Sequence, residues 1–101
     1  MDLQKIPDEV VDLEVAKREG YELDGDFTPI KYKGVDLPEA TFPDPYRPTK
    51  DPHYAYTIIF REKINVVWDE EKLVWRASKG DKAFEHHLKP FSAAMRVYLA
   101  S

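Results

Sequence analysis

The 101-residue sequence predicts an α+β domain, a small antiparallel sheet packed with about three helices. Three observations carry this. Three segments, 8–19, 52–62 and 90–100, place apolar residues at helical spacing behind start signals. Segment 64–78 alternates with period two on both sides of a polar turn. A further run of β-formers lies near 27–33.

The first helix spans Asp8 to Glu19, with Asp8 as N-cap. Val11 and Val15 lie one turn apart, flanked by Val10 and Ala16. Acids lead, Lys17 and Arg18 close, and Glu14 is set to pair with Arg18. Gly20 follows where a left-handed cap residue belongs. The strand near 27–33 rests on Phe27, Ile30 and Tyr32, with Pro29 confining it to an edge or a late start. From about 34 to 51 the chain is a Pro-rich loop. Pro38, Pro43, Pro45 and Pro48 each remove a backbone donor, and Phe42 and Tyr46 suit it for anchoring to the body.

Asp51-Pro52 opens the second helix as N-cap and first residue. Tyr54 and Ile58 form its stripe, although the run Tyr56–Phe60 is rich in β-formers and leaves a strand as the alternative. In the hairpin, Val66 and Trp68 alternate with Asn65 and Val67 before the polar turn Asp69-Glu70-Glu71-Lys72, and Leu73, Trp75 and Ala77 alternate with Val74, Arg76 and Ser78 after it. The two tryptophans fall on neighbouring strands, where aromatic pairs stabilise. Lys79 to Leu88 reads as a polar connection. Pro90 opens the last helix, in which Phe91, Ala94, Met95, Tyr98 and Leu99 keep helical spacing. A single domain over 1–101 follows from the length.

Composition excludes several functions. With no cysteine there is no disulfide scaffold, thiolate metal site or cysteine nucleophile. No apolar run nears the roughly 20 residues of a membrane span. Met1-Asp2-Leu3-Gln4-Lys5 lacks the form of a signal peptide. The net charge of −4 argues against nucleic acid as partner. Residues 1–50 carry 7 basic and 12 acidic side chains, the remainder 8 and 7, so the acidity belongs to the first half.

No catalytic, cofactor or metal motif is present. His86 and His87 are adjacent, a poor geometry for one metal, and His53 is remote in sequence. Asp24-Gly25-Asp26 lacks the rest of a calcium loop, and Asp69-Glu70-Glu71 reads as a solvated turn. No serine sits in a nucleophile elbow, and no Gly-rich phosphate loop can be built from four scattered glycines. The chain is therefore expected to need no cofactor and to act by binding, not catalysis. Phe42, Tyr46, Arg47 and Tyr54 are the candidate partner-binding residues, since aromatics and arginine anchor interfaces. Lys31, Lys33 and Arg47 beside Tyr32 and Tyr46 make a nucleic-acid-associated factor the alternative, and the acidic half a DNA-mimicking inhibitor. An enzyme would need Arg61, Glu62 and His86 or His87 to converge. The edge Val66–Trp68 offers a homodimer by strand pairing.

Four segments resemble the NinX-type phage and prophage proteins, a family of unknown function. They are Val11–Gly20 with its Ala-Lys-x-Glu-Gly ending, Tyr46–Asp51, Ile58–Ile64 with its Ile-Ile-x-Arg-Glu block, and Pro90–Ser101 with Ala-Ala-Met-Arg-x-Tyr-x-Ala-Ser. They keep order and spacing along most of the chain. Phe60 departs from the acidic residue that usually precedes Arg61, and 34–45 fits no part of the pattern. The resemblance implies a phage or prophage origin and the bacterial host cytoplasm, with no transferable activity. Its recurring polar positions are Arg61, Glu62, Arg96 and Tyr98, a polar cluster that either locks helix to sheet or serves function.

Overall fold

The computed structural model describes residues 2–39, 41–42, 44–86 and 88–101. Helix α1 covers Asp8–Glu19, α2 Pro52–Glu62 and α3 Pro90–Ala100, at the expected boundaries. The start signals explain this agreement for two of them. Asp51 accepts a hydrogen bond from the His53 amide at 2.9 Å, and Pro52 and Pro90 occupy first-turn positions. Helix α1 starts differently. Pro7 is its N-cap, with no side-chain cap bond. Asp8 is already helical, and its carboxylate is turned toward α3, where Lys89, Ser92 and Arg96 hold it.

Gly20 ends α1 at φ 95°, and a Cβ there would lie 3.0 Å from Lys33 Cγ. Glycine serves both the left-handed turn and the close approach. The expected Glu14–Arg18 pair does not form. Glu14 meets Lys17, while Arg18 reaches the carbonyls of Tyr98, Leu99 and Ser101 at 2.7–3.2 Å. Those acceptors belong to the last turn of α3, which has no helical donors left to offer them.

Two antiparallel three-stranded sheets replace the single sheet expected. The first contains β1 Tyr21–Leu23, β2 Pro29–Tyr32 and β3 Val35–Asp36, in that spatial order. The second contains β4 Asn65–Asp69, β5 Val74–Lys79 and β6 Lys82–His86. The strand expected near 27–33 is therefore β2, and it pairs with β1 and β3 instead of extending the hairpin. Alternation marks a strand without naming its neighbour. The hairpin itself forms, with Val66 opposite Ala77 and Trp68 opposite Trp75, ring centroids 5.3 Å apart. The segment read as a polar connection holds β6. Its one large apolar residue, Phe84, pairs with Ala77, and the charged residues around it hide the pattern.

Helix α3 is the centre of the molecule. Residues Ser92–Tyr98 are all buried, because α3 packs on the second sheet and on α1 and α2 as well. The core cluster joins Val11 and Val15 of α1, Ile58 of α2, Ala77 of β5, and Met95 and Val97 of α3. Among the described residues no helix is long and apolar enough to cross a membrane.

The Pro-rich loop lies against this core. Pro43 falls outside the described residues. Within the rest, the Tyr46 amide bonds the Phe27 carbonyl at 2.7 Å. Thr49 is 2% exposed, and both its amide and its hydroxyl donate to the Asp12 carboxylate, at 2.9 and 3.0 Å. Burial pushes the Asp12 carboxyl up to about 6, against the lowering effect of these two bonds.

Candidate functional site

The four residues expected to meet a partner are drawn into the fold. Tyr46 is 3% exposed and Tyr54 9%, so neither offers a surface. Phe42 and Arg47 are half-buried. Tyr46 packs on Tyr54 and Tyr21 with ring centroids 4.6 and 5.1 Å away, and Phe42 meets the Tyr21 ring edge-on at 5.5 Å. The Tyr54 hydroxyl donates to the Asp44 carbonyl at 3.3 Å. The Arg47 guanidinium stacks on Phe27 at 4.8 Å, with its Nε enclosed and given no hydrogen-bond partner. These contacts pin the loop to the body, with Tyr46 and Tyr54 taken into it and Phe42 and Arg47 left partly exposed. Loop aromatics carry no sequence mark that separates an anchor for the loop from an anchor for a partner.

Of the four recurring polar positions, three converge. Arg61 grips Glu19 through two bonds of 2.8 Å and meets Glu62 at 3.0 Å. Tyr98 donates its hydroxyl to Glu19, and Lys79 of β5 reaches Glu62 at 3.1 Å. The cluster thus ties the C-terminal ends of all three helices to the second sheet. Burial opposes the Glu19 charge, but the bonds from Arg61 and Tyr98 prevail and hold its carboxyl below the usual range. Burial and the Glu19 hydrogen bond push Tyr98 up to about 12, so it stays a donor near neutral pH. Every polar head here is engaged, which suits a lock between elements. Glu19, the hub, was not singled out from the sequence. The one signal for it was the Glu-Gly ending of the first motif.

Arg96 stands apart, in a second network. Its side chain is 8% exposed and donates to the carbonyls of Leu3 and Ile6 at 2.7 and 2.6 Å, and to Asp8 at 3.2 Å. It also bonds Ser92. Burial works against the Asp8 charge, yet Lys89, Ser92 and Arg96 together bring its carboxyl down to about 2. This network fastens the segment before α1 to α3.

Among the described residues, the groupings needed by the alternative functions do not assemble. His86 accepts from the Leu88 and Lys89 amides at the start of α3, whereas Arg61 meets Tyr98 near its end. At about 1.5 Å per residue, the helix from Lys89 to Tyr98 separates them by roughly 13 Å. His87 lies outside the described residues. Lys31 sits between Glu22 and Asp36, at 4.0 and 3.8 Å, and Arg47 lies on Phe27, so no open basic stripe joins Lys31, Lys33 and Arg47. The acidic half also turns Asp8, Asp12 and Glu19 inward, onto Arg96, Thr49 and Arg61.

Beside its exposed acids, this half also exposes an apolar surface. A trough of about 470 Å³ runs between α1 and the first sheet, walled by Leu13, Ala16, Leu23 and Ile30. Lys17, Glu22 and Lys31 rim it. Leu13 is 39% and Ile30 45% exposed. The sequence showed both as ordinary members of an element. Only the packing of α1 against β1 reveals that they share a surface.

A family model described as "Bacteriophage P22, NinX" matches residues 3–101. The chain belongs to the NinX family. No curated protein and no solved structure matches it. The match takes in all four NinX-like segments, and it places both polar networks and the trough within the NinX unit.

Proposed function

We propose that this NinX-family chain is a small phage accessory protein that works in the host cytoplasm by holding a host or phage protein, not by catalysis. The observation that supports it most is the exposed apolar trough between α1 and the first sheet. Apolar surface rimmed by charge is what protein partners cover. The partner's matching feature is an amphipathic segment with apolar side chains for Leu13, Leu23 and Ile30. Charges of both signs on it meet Lys17, Lys31 and Glu22. The Pro-rich loop braces the turn leading into β2, through the bond between Tyr46 and Phe27. The engaged state of Arg61, Glu19 and Tyr98 supports binding over catalysis. The paired state of Lys31 supports a protein over nucleic acid.

The test is capture from phage-bearing host cells with Leu13→Asp plus Ile30→Asp. Both residues are well exposed, so the folded state, checked by circular dichroism, is retained. A partner held by the wild-type chain is expected to fall by at least about tenfold with the double variant. Equal recovery from a folded double variant would overturn the assignment.

A further inference from the structure

Strand β4 presents a free edge that natural sheets rarely leave open. It pairs with β5 on one side only, over five consecutive residues with no bulge. Native edges are usually blunted by lysine, proline, a bulge or brevity. Edge β6 carries Lys82, Glu85 and His86, and edge β3 is only two residues long. In β4 the run Asn65-Val66-Val67-Trp68 has none of these protections. Val67 is 53% and Trp68 41% exposed, and Phe60 at the end of α2 is 73% exposed. An apolar groove of about 370 Å³ adjoins the strand, walled by Tyr56, Phe60, Val66, Trp75 and Phe91.

The sequence of this edge matches itself. In an antiparallel pairing centred on Val67, Val67 faces Val67 of a second copy. Val66 faces Trp68, and Asn65 faces Asp69. This register pairs all five residues, sets apolar against apolar, and gives Asp69 an amide partner instead of a like charge. Two steps beyond the strand it sets Lys63 against Glu71. A two-fold axis normal to the sheet keeps each face on its own side. Trp68 of the second copy then lies beside Val66, at the mouth of the groove. We propose that two copies of this chain join edge to edge through β4, in antiparallel register about Val67, to form one six-stranded sheet. The interface is separate from the α1 trough, and each is tested without the other.

The experiment is sedimentation equilibrium on the full chain over a concentration series reaching about 100 µM. Wild type is expected to reach twice its 11.8 kDa mass. Val67→Lys sets two ammonium groups opposite each other and should give monomer, with circular dichroism showing that the fold is kept. Asn65→Asp sets a carboxylate opposite Asp69 at both ends and should weaken the dimer by about fivefold. Adding Asp69→Asn, which still accepts the turn amides of Glu71 and Lys72, should restore it. The proposal is overturned by a wild-type monomer throughout the series, by a dimer indifferent to Asn65→Asp, or by failure of the paired change to rescue. Capture of a different chain's strand on β4 without self-association overturns it equally.

Discussion

Arg96→Ala is expected to cost about 3–5 kcal/mol of folding stability, the range for removing one partner of a buried ion pair. Arg96 serves three groups together. It neutralises Asp8, satisfies the Leu3 and Ile6 carbonyls before α1, and bonds Ser92 one turn back on α3. The substitution leaves a largely buried carboxylate with only Lys89 and Ser92, and two carbonyls without donors. A domain of this size holds about 5–15 kcal/mol in all, so the variant should melt much earlier. Arg96→Lys should recover little, because an ammonium cannot span the positions that the planar guanidinium reaches. Asp8→Asn combined with Arg96→Met should be less damaging than the two single losses added together. Denaturant melts of wild type, the two Arg96 variants, the double variant and its two single variants decide it. A loss under about 1 kcal/mol for Arg96→Ala would show that the network is ornamental.

Asp12→Asn is expected to stabilise the protein at neutral pH. Burial holds the Asp12 carboxyl at about 6, against an ordinary value of 3.8. A raised acid takes up its proton more readily folded than unfolded. Its contribution to stability is therefore full at low pH and is lost as pH rises from about 4 to about 6. The loss is at most about 3 kcal/mol, at 1.36 kcal/mol per unit. Asparagine still accepts from the Thr49 amide and can donate to its hydroxyl, without the charge. The variant should exceed wild type by about 1–3 kcal/mol at pH 7 and converge with it near pH 4. Asp8 runs the other way. Its lowered carboxyl adds stability above about pH 4 that is lost as pH falls toward 2. Urea unfolding at four pH values separates the two. An Asp12→Asn variant weaker than wild type at pH 7 would mean that the carboxylate's bonds to Thr49 outweigh its burial.

The helices were legible because their ends are written locally. Asp51-Pro52 and Pro90 act through neighbouring backbone, as does Gly20 in its left-handed turn. The hairpin was legible for the same reason, since a short turn leaves its two strands little choice of partner. What joins distant segments was not. Strand β2 pairs with β1, three residues long, and β3, two residues long, both too brief for a pattern. Strand β6 carries charge on an edge and so resembles a connection. The family resemblance named Arg61, Glu62 and Tyr98, but not that Glu19 would bind Arg61 and Tyr98 or that Arg96 would stand apart from all three. The loop aromatics were read toward a partner, and the core took Tyr46 and Tyr54. The exposed residues Leu13 and Ile30 became a site only through the packing of α1 beside the first sheet.

The most direct test of partner binding through the α1 trough is photo-crosslinking in phage-bearing host cells. A photoreactive residue is placed at Ile30, and for comparison at Glu70 in the hairpin turn, far along the chain from the trough. Ile30 should trap one defined heterologous protein, and the adduct should disappear with Leu13→Asp. Glu70 should trap none of it. The same adducts from both positions, or none from Ile30 in a folded chain, would contradict the trough as the binding surface.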